Sequence, residues 1–102
     1  MPPKPVLNIN TLRVMALLYQ EMDGEHYGLS IGRHLEMGNG TLYPILDKLE
    51  KMSLITGDFE DIDPVVEGRR PRRYYRLTAQ GIATFEAERS KIFGGEGGKA
   101  WI

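Results

Sequence analysis

The chain has 102 residues, of which 41% are hydrophobic and 26% charged, and it contains no cysteine. One domain of ordinary composition fits this length, whereas disulfides, zinc ribbons and thiol nucleophiles are excluded. The start, MPPKPVLN, lacks the apolar region of a secretion signal, and no apolar run reaches the ~20 residues that span a bilayer, so we expect a cytoplasmic protein.

The net charge of -1 hides a separation of charge along the chain. Residues 58–67 hold five acids and no base, and residues 68–81 hold five arginines and no acid. Salt limits electrostatic reach to about 8 Å, so local charge rather than net charge decides whether a polyanion is attracted. A basic surface is therefore compatible with an acidic protein.

Residues 1–8 hold three prolines and no periodicity, which indicates a flexible lead-in. The first helix is predicted to run to about Met22, with Asn10 or Thr11 as its N-cap. Apolar side chains cover most of its circumference, so we expect a second subunit to bury part of it. The dimerisation residues predicted on this basis are Val14, Leu17 and Leu18.

A helix-turn-helix follows. A second helix, about Tyr27 to Glu36, and a third helix are joined by a glycine-containing turn over Met37 to Gly40. Gly32 indicates close approach of another helix, because glycine in a helix interior costs about 1 kcal/mol relative to alanine. The third helix has an apolar stripe with helical spacing. Its opposite face carries Thr41, Tyr43, Pro44, Asp47, Lys48 and Lys51.

Two strands, about Leu54 to Asp61 and Arg72 to Leu77, precede a last helix that Thr78 caps. The connection at residues 62–71 is expected to be mobile at its tip, and residues 94–102 to form a flexible glycine-rich tail. The order helix, helix, helix, strand, strand, helix predicts a mainly α fold with a small antiparallel β-hairpin. This is a winged helix-turn-helix over residues 9–93.

Two groups of residues suit DNA. The start of the third helix offers hydroxyls and a helix N-terminus to bases and phosphates, with lysine further along. The run RRPRRYYR offers guanidinium groups that bind phosphate bidentately. The alternatives are solvated surface positions and ion pairs with Glu60, Asp61 and Asp63, and we expect some arginines in each role. The predicted DNA-binding residues are Gly40, Thr41, Tyr43, Pro44, Lys48, Arg69, Arg70, Arg72 and Arg73.

Catalytic and metal sites are not indicated. Ser30 and His34 are four residues apart on one helix, but no carboxylate or oxyanion motif accompanies them. His26 lacks partners with ligand spacing, and the glycines follow no phosphate-loop pattern. We therefore predict a protein that is not an enzyme and needs no metal or cofactor.

GTLYPILDKLEKMSLI followed by RRPRRYYRLTAQG resembles the PadR family of bacterial transcriptional regulators, from about Leu12 to Phe85. The resemblance implies a winged-helix homodimer that represses at a palindromic operator, with Gly40 to Pro44 reading DNA and the wing arginines beside them. Gly38, or Asn39 if the helix starts one residue later, stands where the family has a capping serine, threonine or asparagine, so a weak cap is predicted at Gly38. Members that sense small molecules bind them in a dimer cavity, but no effector is identifiable here.

The predicted function is sequence-specific DNA binding in transcriptional regulation, with double-stranded DNA and a second copy of the chain as partners. The alternative is a winged-helix protein-interaction module that does not bind specific DNA sequences. The acidic net charge and the short C-terminal region favour that alternative.

Overall fold

The computed structural model describes residues 7–93, so most of the predicted lead-in and the whole predicted tail lie outside the described residues. The predicted element order and winged-helix fold are confirmed, with one additional short helix in the wing. None of the helices within residues 7–93 is long and apolar enough to cross a membrane. The elements are α1 Ile9–Gln20, α2 Gly28–Leu35, α3 Asn39–Lys51, β1 Ile55–Phe59, α4 Pro64–Glu67, β2 Arg73–Leu77 and α5 Ala79–Phe93.

The first helix begins earlier than its sequence suggested. Asn8 is the N-cap, and its side-chain oxygen accepts the Thr11 backbone N–H at 2.8 Å. Leu7 packs against the core, so the ordered unit includes the last two residues of the predicted lead-in. Asn10 and Thr11 lie inside the helix because the capping bond that an asparagine makes to its third residue was available two positions earlier.

The apolar surplus of α1 is buried within the single chain. Val14, Leu17 and Leu18 are 0%, 2% and 1% exposed, in a core shared with α2, α3, the wing and α5. A small domain can surround one central helix, and that burial needs no second subunit. The reason for expecting dimer contacts at these three side chains therefore does not hold for this structure, and a role in dimerisation remains a prediction.

The two helices of the helix-turn-helix approach closely at Gly32. A Cβ at this position would lie 2.9 Å from the Met37 carbonyl oxygen and 3.5 Å from Leu42 Cδ2. The predicted close approach at this glycine is confirmed. The turn is shorter than predicted, since α3 already begins at Asn39.

The wing is an antiparallel hairpin in which Ile55 pairs with Leu77 and Phe59 with Arg73. The other edge of β2 contacts the chain just before α2. There Tyr75 donates its backbone N–H to the His26 carbonyl at 2.7 Å, and Tyr27 forms an isolated bridge with Tyr74. The N-terminus of α2 is therefore fixed beside the base of the wing.

The wing connection contains a helical turn where a mobile tip was predicted. Asp63 caps α4 by accepting the Val65 backbone N–H at 2.9 Å, Pro64 is its first residue, and Gly68 ends it at φ 67°. Aspartate, proline and glycine at these positions are a start and stop signal for a helix. The sequence itself therefore carries the signal for this helix.

Candidate nucleic-acid interface

The first two turns of α3 form an exposed tip. Gly40, Thr41, Tyr43 and Pro44 all lie on the surface. The N-cap Gly38 makes no side-chain capping bond, which confirms the predicted weak cap. Within residues 7–93 the backbone N–H groups of Asn39 and Gly40 have no acceptor. Such unpaired groups at a helix N-terminus suit phosphate.

Pro44 is the sixth residue of α3 and lies inside the helix. Because proline has no N–H, the Gly40 carbonyl does not receive the usual hydrogen bond from four residues on. A Cβ at Gly40 would have no neighbour within 4 Å, so the backbone is unobstructed at this point of the tip.

Tyr43 links the tip to α2. Its side chain is 47% exposed, and its hydroxyl lies directly against Gly28, where a Cβ would collide with it. The Arg72 guanidinium stacks on the Tyr27 ring, 4.5 Å from the ring centroid. A cavity of about 310 Å³ between α2, α3 and the wing is lined by these four residues among others. Three elements therefore meet on one face.

The N-terminus of α2, which the sequence did not single out, belongs to this face. The Ser30 hydroxyl accepts the Tyr27 backbone N–H at 3.1 Å and donates to the Tyr27 carbonyl at 2.9 Å. The N–H group of Leu29 has no acceptor in the described part of the chain. Ser30 thus caps its own helix.

Two of the predicted DNA-binding arginines are held by carboxylates. Arg69 bonds Glu60 through both terminal nitrogens, at 2.6 and 3.1 Å. Arg73 bonds Glu50 in the same manner, at 2.8 and 2.5 Å, and its Nε donates to the Gly57 carbonyl. The expectation that acids hold some arginines is confirmed for Glu60. Glu50 was missed because it lies on α3, 23 residues from Arg73.

The other arginines carry the accessible positive charge of the wing. Arg70, Arg72 and Arg76 are exposed. The side chains of Arg70 and Arg76 have no hydrogen-bond acceptor within residues 7–93, whereas Arg72 rests on Tyr27. Along α3, Lys48 is exposed, and Lys51 forms an exposed pair with Asp47 at 2.9 Å.

Glu60 is the most perturbed acid of the wing. The Arg69 guanidinium, the Arg72 backbone N–H and the Tyr74 hydroxyl donate to its carboxylate and lower its pKa to about 2. Each donor favours the ionised form, and together they outweigh desolvation. Glu60 is therefore ionised at neutral pH, as its pair with Arg69 requires.

A helix-turn-helix whose second helix exposes its N-terminal turns beside an arginine-bearing hairpin defines a winged-helix transcription regulator. Residues 15–87 match the model of the Transcriptional regulator PadR-like family, and the chain belongs to this family. Its members are transcription regulators rather than enzymes.

Solved structures share the fold. A PadR-like transcription factor from Bacteroides fragilis is 24% identical with a TM-score of 0.68, and the alignment covers 82% of this chain and 80% of that one. AbfR of Staphylococcus epidermidis is 26% identical with a TM-score of 0.69 and coverages of 89% and 56%.

A MepR A103V mutant from multidrug-resistant S. aureus is 17% identical with a TM-score of 0.67 and coverages of 84% and 59%. This chain thus spans less than two thirds of MepR and of AbfR. No curated protein matches the sequence.

Proposed function

We propose that this chain is a repressor that binds a palindromic operator as a homodimer. The observation that carries the proposal is the meeting of the α3 tip, the α2 N-terminus and Arg72 on one face. Unpaired N–H groups and a guanidinium together make a surface that fits a sugar-phosphate backbone. Such a regulator acts in the cytoplasm, on the chromosome.

In this arrangement the α3 tip lies in the major groove. Thr41 and Tyr43 present hydroxyls to base edges and phosphates, and Gly40 permits close approach of the backbone. Pro44 shapes the tip, and Lys48 reaches the phosphates one turn further along. The hydroxyl of Tyr43 lies against Gly28. A contact at the α2 N-terminus can therefore be transmitted through Tyr43 to α3.

The wing arginines divide into two roles. Arg70 and Arg72 contact phosphate, because their guanidinium groups are exposed and bind no carboxylate among the described residues. Arg69 and Arg73 act within the protein, where their carboxylate partners hold the wing in place. This assignment narrows the predicted set of phosphate contacts.

The homodimer and the repressor role rest on the family resemblance. A two-fold dimer of this plan reads half-sites whose centres are ~10 bp apart or a multiple of that. Val14, Leu17 and Leu18 are buried within the single chain. Their part in a dimer interface remains a prediction. A small-molecule effector would bind at a site that we do not assign.

The test is titration of labelled duplex DNA from upstream of the coding region, followed by anisotropy at several salt concentrations. Arg72→Ala and Arg70→Ala should each weaken binding to this DNA and to unrelated DNA alike, and each should reduce the salt slope by about 1. Lys91→Ala is the matched control, because it removes an exposed positive charge from α5. Tyr43→Phe should instead alter the preference among sequences.

Unchanged affinity in both arginine variants would contradict the phosphate assignment. If the unaltered chain binds no duplex DNA at moderate salt and retains a tight protein partner in a pull-down, the alternative of a protein-interaction module is favoured.

A further inference from the structure

The outer end of the wing, residues 61–67, exposes apolar side chains on an ordered turn, and we call it the wing tip. Val65 and Val66 in α4 are 89% and 77% exposed. Asp63 and Gly68 cap the turn at its two ends. No residue of α4 is buried, so the turn is ordered by its caps and not by packing against the core.

The base of the wing tip is held in a fixed position. Glu60 joins its two sides, since its carboxylate accepts from Arg69, from the Arg72 backbone and from Tyr74. Its backbone N–H also donates to the Arg72 carbonyl at 2.7 Å. A turn that is ordered in advance loses little conformational entropy when a partner binds to it. The two valines are held outward on this turn.

The charge of the wing tip is unsuited to DNA. Residues 61–67 contain three carboxylates and no base. Asp61, Asp63 and Glu67 are exposed, and none forms an ion pair within the described residues. Phosphates would be repelled by this end of the wing, whereas lysine and arginine side chains would be attracted. A symmetric contact between two wing tips would place like charges together and is disfavoured for the same reason.

We propose that the wing tip docks a partner protein through a segment in which lysine or arginine side chains flank apolar ones. The valines supply the apolar contact, and the three carboxylates supply charge complementarity around it. The surface is small, so the interaction is transient. It goes beyond the proposed operator binding, because it gives the wing a second, protein-directed face opposite in charge to the arginines of its base.

The experiment uses the full chain and three synthetic helical peptides. The first carries leucines along one face with lysines beside them, the second has serines for the leucines, and the third has glutamates for the lysines. Amide chemical shifts of the isotope-labelled protein are followed during titration at physiological salt. We expect saturable shifts only with the first peptide, centred on residues 61–67.

Val65→Ser with Val66→Ser should weaken binding of the first peptide by about tenfold or more, as expected for the centre of an interface. Asp61→Asn with Asp63→Asn and Glu67→Gln should weaken it similarly, and asparagine retains the helix cap. The control is Asp23→Asn with Glu25→Gln, which neutralises two exposed acids between α1 and α2. It should bind the peptide as the unaltered chain does.

Each competing occupant gives a distinct result that would overturn the proposal. Shifts centred on residues 21–25, or equal binding by the valine variant, would show attraction to any acidic surface. Stronger shifts of the same amides with duplex DNA would assign the wing tip to nucleic acid. A change in sedimentation of the valine variant would assign it to self-association. Loss of operator binding in Arg72→Ala, by contrast, tests only the proposed function.

Discussion

The bidentate pair between Glu50 and Arg73 fixes the angle between α3 and the wing. Arg73 contacts three structures at once, since it bonds Glu50 on α3, donates to Gly57 on β1 and lies 5.6 Å from the ring centroid of Tyr75. A Cβ at Gly57 would lie 2.8 Å from Arg73 Nε, so this glycine makes room for the guanidinium. Arg73 therefore positions α3 relative to the wing.

Glu50→Gln should change the affinity for DNA in the direction opposite to that expected from its charge alone. Removing a negative charge from α3 would by itself strengthen attraction to DNA. We expect affinity for the upstream DNA to fall about tenfold instead, which corresponds to ~1.4 kcal/mol, because the wing loses its fixed position. The salt slope should stay unchanged, unlike that of Arg72→Ala. Tighter binding by Glu50→Gln would show that Arg73 had been withheld from phosphate.

The depressed pKa of Glu60, about 2 against an ordinary 4.5, makes the wing acid-sensitive. A carboxylate with a lowered folded-state pKa contributes stability above its unfolded pKa and loses it as the pH falls toward the folded value. Thermal melting should therefore show a stability loss between pH 4.5 and 2 that is smaller in Glu60→Gln. Glu36→Gln, which alters an exposed acid after α2, is the control. Parallel pH curves for all three proteins would contradict this role.

At the scale of the elements, Gly40 determines how closely α3 can approach another molecule, and Gly81 determines how closely α5 packs against the rest of the fold. Gly40 is in the first turn of α3 with open space around it. At Gly81, by contrast, a Cβ would collide with the Leu54 backbone carbonyl. The packing of the fold does not require a glycine at Gly40, but it does require one at Gly81.

Gly40→Ala should stabilise the isolated chain by about 0.5–1 kcal/mol, because alanine loses less backbone entropy in a helix. The same change should weaken DNA binding by adding a side chain at the reading tip. Gly81→Ala should lower the melting temperature, because backbone must move to admit the methyl group. Melting and anisotropy on both variants check this. Unaltered DNA binding by Gly40→Ala would place the tip away from DNA.

At the scale of the whole molecule, α1 is the centre of one core. Leu18→Ala should therefore cost about 2–5 kcal/mol of unfolding free energy, and the loss should be independent of protein concentration. Met22→Ala, at a half-exposed position just past α1, should cost far less. Melting at several concentrations together with light scattering separates core from interface. A concentration-dependent melting temperature that only Leu18→Ala abolishes would return this residue to a dimer interface.

The sequence by itself determined the helices, the hairpin, the weak cap at Gly38 and the Thr78 cap of α5. These depend on side-chain periodicity and on bonds between residues three or four apart, which are local and therefore legible. Asp63, Pro64 and Gly68 carried an equally local signal for α4. Because α4 is short, its segment is predicted as a loop.

Only the tertiary structure decided which arginines are accessible, because Arg73 meets Glu50 across 23 residues of chain. It also decided that Val14, Leu17 and Leu18 are interior, since the periodicity of a helix shows that a face is apolar but not what covers it. In the same way, the meeting of Tyr43 with Gly28 follows from the packing of α2 against α3 and from no pattern within either helix.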